Sequence, residues 1–595
     1  MKNRILLSGN EAIAEGALQA GARFAAAYPG TPSTEILETL SRRGGIRAEW
    51  APNEKVAYEA AYGASLGGAR ALVAMKHVGV NVAADPLFSS SYSGVNGGLV
   101  LVSADDPAMH SSQNEQDNRQ LARAAKIPVL EPSDSQEAKD FTVQAFDVSE
   151  RFDTPVMLRV TTRICHSMSP VEAIRNATWP EAPLRRYDRD FRKYVLLPAN
   201  ARPRHAFVEA RMLELGEFAC GERRLNRIEW ADRTIGVITG GVAYQYVKEA
   251  LPGASVLKLG MPWPLPHRLV REFADGVDEL YVVEELDPFI ETEVRALGIP
   301  AVGKEIFPVT GELTPDIVSQ GFGISGNGAE APRDRQLPAA AVPPRPPVLC
   351  AGCGHRGVFF TLAKMGLIVT GDIGCYTLGA LHPLESMDAC LCMGASVGMA
   401  HGMEAALRSD GDERRVVGVI GDSTFMHSGI IGLINTVYNG GSSTILVLDN
   451  GTTAMTGHQD HPGTGVTAGG EASRRVDIAA VCRAVGVDRV REVDPYDMAA
   501  LEAALEDELA AGEPSVIICR AVCRLVDRTP IAPSVRLEIE CPGCGTCFEL
   551  GCPAIDDIDG VAVVDPEVCC GCGLCVQVCP FCGLRIEGRE PVEAT

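Results

Sequence analysis

The chain has 595 residues, enough for about four domains that each bury a core. With 54 Lys+Arg against 77 Asp+Glu, a net charge of -23, it lacks the positive surplus that neutralising a phosphate backbone requires, so no nucleic acid is expected as partner. No run of 18 apolar residues occurs, which speaks against a membrane-spanning helix, and the opening MKNRILLSGNEAIAEG turns polar after three apolar residues, too few for an export signal; the expectation is a cytoplasmic protein.

Along the chain, apolar runs rich in Val, Ile and Leu end in Gly, Asp or Asn: GGLVLVSAD (97–105), TIGVITGG (234–241), ELYVVEE (279–285), RVVGVIGD (415–422) and STILVLDN (443–450). They alternate with Ala-rich helical stretches, which predicts an α/β fold of doubly wound parallel sheets. The stretch 185–229 is charged and aperiodic and reads as a weak break. GFGISGNGAEAPRDRQLPAAAVPPRPP (321–347) reads as an extended linker, because its Gly, Ala and Pro content cannot bury a core. The expected parts are 1–200, 232–325, a linker over 326–347, 348–530 and 536–590.

Within 348–530, one strand ends at Gly421-Asp422, a helix with apolar Ile430, Ile431, Ile434 and Val437 follows, and a second strand ends at Asp449-Asn450. Right-handed crossover brings both strand ends to one sheet edge. Asp422, the Asn450 amide oxygen and a carbonyl near Thr452 could there share one hard cation, Mg2+, with a diphosphate; an ordinary strand-end Asp is the alternative. MGASVGMAHGMEAAL (393–407) predicts a helix opened by small residues, with Gly394 where backbone N–H groups could approach a diphosphate, or where helices merely pack closely.

Ten of the twenty Cys fall between Cys541 and Cys582. In a reducing compartment they are metal ligands or free thiols rather than disulfides. Cys569, Cys572, Cys575 and Cys579-Pro580 reproduce C-x2-C-x2-C-x3-C-P, and Cys541, Cys544, Cys547 and Cys552-Pro553 nearly repeat it, with a four-residue gap before Cys552. The fourth Cys of each run ligates the other cluster. One [4Fe-4S] centre is thus expected on Cys541, Cys544, Cys547 and Cys579, and a second on Cys569, Cys572, Cys575 and Cys552. Zinc is the alternative for such pairs, but two C-P-terminated quartets suit clusters better. Cys570 and Cys582 are left over as expected buried thiols. This tail resembles a two-cluster bacterial ferredoxin.

AYPGTPSTE (27–35), NEKVAYEAAYGAS (53–65), CAGCGHRG (350–357), GDIGCYTLG (371–379) and the GDS…DN turn follow one another as in 2-oxoacid:ferredoxin oxidoreductases, which the whole chain resembles. Ser423 and Gly451 depart from the family's thiamine diphosphate motif without removing an oxygen ligand. The resemblance implies transketolase-like thiamine diphosphate domains: a pyrimidine-binding domain first, then an α/β domain like the transketolase C-terminal one, a diphosphate- and Mg2+-binding domain, and the ferredoxin-like α+β tail. It implies that Glu54 is the acid on the aminopyrimidine ring, that Thr31 contacts substrate, and that Gly421, Asp422, Asn450 and Thr452 serve the cofactor and its metal. Cys350, Cys353, Cys375 and Cys523 match positions that hold a further cluster in several relatives, with free core thiols the alternative; His355 and His77 receive no role. The implied reaction is CoA-dependent oxidative decarboxylation of a 2-oxoacid, arylpyruvates and above all indolepyruvate, with electrons passed to ferredoxin. Pyruvate, 2-oxoglutarate or branched-chain acids are the rival substrates, and a non-catalytic electron-transfer subunit is the rival role. A small β subunit is expected to complete a heterodimer or a dimer of heterodimers.

Overall fold

A computed structural model describes residues 4–172, 179, 182–324, 346–409, 414–532, 534–537 and 541–586. The chain forms two compact units, 1–335 and 336–595. Most of the expected linker, 325–345, lies outside the described residues.

The first unit is built on two larger sheets, beside an antiparallel ribbon of Arg4–Ser8 with Met168–Glu172. Six parallel strands run in the order Arg47–Trp50, Phe24–Ala27, Ala71–Lys76, Leu99–Asp105, Val156–Thr161 and Val129–Leu130. Strands 99–105 and 156–161 are buried throughout, as expected of a sheet with helices on both faces. The smaller sheet orders Glu279–Val283, Asp232–Gly240, Ala254–Leu259 and an antiparallel edge, Asn226–Glu229. It therefore begins before residue 232, the expected start. The stretch read as a weak break is mostly a 24-residue helix, Pro198–Gly221. Its buried Val208, Arg211, Leu215 and Ala219 keep helical spacing, but an arginine fills one core slot and so hides the apolar stripe. Arg211 donates to the carbonyls of Asp153 at 2.7 Å and Ser91 at 3.0 Å.

Buried charges join the two sheets of this unit. Arg119 pairs with Asp117 at 2.6 Å and with Glu284 at 2.9 Å; Arg159 pairs with Asp105 at 2.8 Å and with Glu131. Glu285, beside them, accepts the Leu313 N–H at 3.1 Å. Burial raises the Asp105 and Glu284 carboxyls and lifts Glu285 to about 7. Five carboxylates thus face two guanidinium groups, and part of the excess is met by protons.

The second unit is built on six parallel strands ordered Ala389–Cys390, Ile368–Gly371, Val416–Gly421, Thr444–Asp449, Ser515–Arg520 and Arg489–Val493. Helical turns run on from Asp422 through a π-turn, Phe425–Gly429, into the helix Ile430–Tyr438. Of this helix's apolar residues, Val437 and Ile430 pack in the core, whereas Ile431 (68 % exposed) and Ile434 (46 %) do not. Beyond the sheet lies the tail, with two antiparallel ribbons, Val535–Leu537 with Leu584–Ile586 and Ile555–Ile558 with Val561–Val564. Its small core mixes Val535, Leu550, Ala562, Leu574 and Leu584 with cysteines. It docks on the sheet domain through Gln577, which donates to the Tyr496 carbonyl at 2.7 Å and accepts the Met498 N–H at 3.1 Å. Among the described residues no helix is long and apolar enough to cross a membrane.

Candidate active site and cysteine quartets

In the first unit, Glu54 opens the helix Glu54–Leu66, capped by Asn53, whose side chain accepts the Val56 N–H at 2.9 Å. Glu54 is 4 % exposed, and its carboxylate lies against Gly79, where a Cβ would stand 2.7 Å from Oε1. Thr31, half-buried, lies in the loop after strand 24–27, which Thr34 and Ser33 tie to both ends of the Gly30 peptide at 3.0 and 2.9 Å. Lys76, which the sequence did not single out, joins these two places. Its stem packs over Gly30, its ammonium donates to the Ser111 carbonyl at 2.8 Å, and it forms no ion pair among the described residues. Burial lowers its pKa, against the pull of the Asp106 and Glu54 charges. His77 is fully buried on Asn114 at 2.9 Å.

In the second unit, the ends of strands 416–421 and 444–449 bring Gly421, Asp422, Asp449, Asn450 and Thr452 together. Asp422 Oδ2 accepts the Gly451 N–H at 2.8 Å and approaches His461 Nε2 at 3.1 Å. Gly451 is left-handed (φ 70°), the conformation that aims this N–H. Thr452 N–H donates to Asn450 Oδ1 at 3.1 Å. Burial and the neighbouring Asp422 charge raise the Asp449 carboxyl. Asp449 Oδ2 is already held by Arg520 Nε at 2.9 Å, so the oxygens left for a divalent cation are those of Asp422 and the Asn450 amide, a hard donor pair that fits one. The Gly394 expectation meets a different arrangement. Its N–H donates to Asp372 Oδ1 at 2.8 Å, while Ser396 gives its hydroxyl to Asp372 Oδ2 at 3.0 Å. A buried carboxylate, lifted by burial to about 6, thus caps the helix Ala395–Ser409 where a phosphate was expected. Gly394 itself is left-handed (φ 84°), and a Cβ there would lie 2.0 Å from Ser428 Oγ.

The cysteines gather into three groups. Cys541, Cys544, Cys547 and Cys579 line one cavity; Cys552, Cys569, Cys572 and Cys575 line another, which Ala351, Gly352 and Arg356 also border. Backbone N–H groups already point at sulfur, Val535 to Cys569 at 3.4 Å and Gly583 to Cys579 at 3.3 Å. The third group is Cys350, Cys353, Cys375 and Cys523. Burial pushes the Cys353 thiol up to about 12 and Cys375 to about 11, and each also feels the other cysteines of the group. Burial raises the ordinary core thiols Cys482 and Cys519 in the same way, so it is the mutual proximity of these cysteines, and not their pKa, that bears on a cluster. Among the described residues no three His, Cys, Asp or Glu side chains are placed to hold a single metal ion. Cys570 and Cys582 are half-buried, and the Cys570 sulfur fills the space over Gly352, where a Cβ would come within 2.0 Å. His355 is buried, its pKa lowered to about 4 by desolvation.

Three family descriptions match the chain. "Pyruvate flavodoxin/ferredoxin oxidoreductase, thiamine diP-bdg" covers residues 15–211, "Thiamine pyrophosphate enzyme, C-terminal TPP binding domain" covers 372–519, and "4Fe-4S binding domain" covers 562–581. Proteins named indolepyruvate oxidoreductase subunit IorA align along nearly the full length. That of Archaeoglobus fulgidus is 42% identical over 97% of this chain and 96% of its own. That of Thermococcus kodakarensis is 41% identical over 97% and 96%, and that of Methanothermobacter marburgensis 40% over 99% and 98%. The chain belongs to the indolepyruvate oxidoreductase subunit IorA family, oxidoreductase enzymes of the 2-oxoacid:ferredoxin class built on thiamine diphosphate-binding and 4Fe-4S-binding domains.

Proposed function

We propose that this chain is the catalytic α subunit of a cytoplasmic enzyme that converts an arylpyruvate, indolepyruvate first, and CoA to aryl-acetyl-CoA and CO2. The balance releases one proton and two electrons, which leave singly through [4Fe-4S] clusters to ferredoxin. Bound thiamine diphosphate supplies the electron sink for loss of CO2. Glu54 would hold the aminopyrimidine ring through a carboxyl hydrogen bond. Asp422, Asn450 and a Thr452 carbonyl, beside Gly421, would hold Mg2+ and through it the diphosphate. Thr31 would contact the substrate, and the Lys76 ammonium, in no ion pair among the described residues, would take the 2-oxoacid carboxylate. A small β subunit completes the heterodimer or its doubled form.

The observation that supports this reading is one backbone contact between the proposed metal corner and the proposed third cysteine quartet. The Cys523 N–H donates to the Asn450 carbonyl at 3.0 Å, so the cysteine quartet of 350, 353, 375 and 523 begins where the metal corner ends. Electrons released at the cofactor would have an acceptor beside them.

The test is CoA-dependent viologen reduction by the anaerobic complex with its small partner subunit, across a panel of 2-oxoacids. Arylpyruvates are expected to give the highest kcat/KM, and a preference for pyruvate, 2-oxoglutarate or branched-chain acids would overturn the choice. Glu54→Gln should lower kcat by roughly 100-fold or more while thiamine diphosphate remains bound. Unchanged turnover would make the chain an electron-transfer subunit instead.

A further inference from the structure

Arg356, in the helix Gly354–Met365, is a buried cation with no carboxylate. It is 2 % exposed, yet its hydrogen bonds go only to backbone carbonyls: Nη1 to Leu550, and Nη2 to Leu349 and, at 3.2 Å, to Cys350. Its Nε has no partner, and no ion pair reaches it among the described residues. The buried Arg119 and Arg159 pair with carboxylates, whereas the buried Arg211, like Arg356, rests on backbone carbonyls with an unpartnered Nε and no ion pair among the described residues. Removing a guanidinium from water without an anion is unfavourable, and unlike Arg211 this one borders a cysteine-lined cavity, which is where an anion would sit.

The surroundings say which. On one side Arg356 borders the cavity lined by Cys552, Cys569, Cys572 and Cys575. On the other it grips the carbonyl of Cys350, the first residue of the third quartet. Its charge acts on Cys552 in the first direction and on Cys353 in the second. The carbonyl of Leu550 lies between Cys547 and Cys552, so the same guanidinium also locks the tail loop to the sheet domain.

We propose that Arg356 is the shared counter-cation of two adjacent iron–sulfur clusters, one on Cys552, Cys569, Cys572 and Cys575 and the other on Cys350, Cys353, Cys375 and Cys523. This rests on the reading of both quartets as cluster sites. A cluster held by four thiolates gains one negative charge when it accepts an electron. A fixed positive charge beside it in a low-dielectric setting favours the reduced form and raises the potential. Because three carbonyls hold the guanidinium, it need not move as the electron passes. Arg356 is thus a positioning residue for electron transfer: it sets the level of two neighbouring stations together and leaves the outer cluster, on Cys541, Cys544, Cys547 and Cys579, alone.

The test is a redox titration of the anaerobic complex followed by electron paramagnetic resonance, with iron counted per chain. In Arg356→Gln the reduced-to-oxidised ratio of both inner clusters at a fixed potential should fall about tenfold, about 59 mV for a one-electron couple, while the outer cluster is unmoved. Arg356→Lys should keep most of the potential near neutral pH and lose it as the pH rises through the lysine's titration; this second variant decides the matter if the first does not fold. Unchanged potentials in Arg356→Gln at full iron content, or a lysine variant without that pH drift, would overturn the proposal. Equal loss of iron from both variants would also overturn it, because shape rather than charge would then be at stake. A wild-type count of about 8 irons rather than about 12 would instead remove the third quartet and defeat the reading beneath the proposal.

Discussion

The two units bury polar chemistry in opposite ways. Where the two sheets of the first unit meet, Arg119 and Arg159 sit among Asp105, Asp117, Glu131, Glu284 and Glu285, and charge is balanced by the chain's own side chains and protons. In the second unit, thiols line cavities and Arg356 is buried with carbonyls alone. A self-neutralised network needs nothing further and holds domains together. An uncompensated one that borders a cavity marks the place of something the chain does not encode. Arg211 and Lys76 in the first unit also rest on carbonyls, so it is the cysteine-lined cavity beside Arg356 that sets the second unit apart.

The largest expected effect follows from that distinction. The tail's core holds few aliphatic side chains, and a segment of about fifty residues rarely folds on so little without metal. Chelating the iron under reducing conditions should abolish hydrogen-exchange protection across 541–586, while strands 99–105 and 156–161 keep theirs. A tail that stays protected without iron would break the comparison.

A smaller effect is expected inside the first unit. Arg159→Met leaves Asp105 buried without a cation and Glu131 with only Arg119 at 3.9 Å, and should cost about 3–5 kcal/mol. Urea unfolding of the full chain, read on signals of the first unit, measures it. A loss below about 1 kcal/mol would mean that water already reaches the network.

How much of this was legible beforehand depended on whether a signal is carried by spacing or by burial. The cysteine runs name their partners through two-residue gaps, and the quartets lining the two tail cavities are the ones that spacing anticipates. The parallel strands announced themselves as apolar runs ending at Asp105, Asp422 and Asn450. The helix Pro198–Gly221 did not, because Arg211 occupies a slot that periodicity assigns to an apolar residue. Ile431 and Ile434 show the reverse limit, since apolar residues in a helix do not by themselves say which face is covered. Asp372 took the amides expected at a phosphate because a capping carboxylate and a diphosphate exploit the same helix terminus. Lys76 and Arg356 look ordinary in sequence; only burial without a counter-ion singles them out.

The smallest effect is also the most specific, and it concerns protons. Burial lifts the Glu285 carboxyl from its ordinary value of 4.5 to about 7. Below pH 4.5 the group is protonated in folded and unfolded chains alike and contributes nothing. Between 4.5 and 7 the unfolded chain gives up the proton while the folded one keeps it, so the folded state binds more protons and stability falls as pH rises. Above about 7 both forms are ionised and the dependence levels off. Glu285→Gln can still accept the Leu313 N–H but has nothing to titrate. Its stability relative to the parent should therefore rise by up to about 3 kcal/mol between pH 4.5 and 7 and stay constant beyond. Because Asp105 and Glu284 titrate in both proteins, their contribution largely cancels in the difference. Parallel stability profiles for the two proteins would mean that Glu285 is ionised in the folded state throughout, and the first unit would then balance its buried charge through arginines alone.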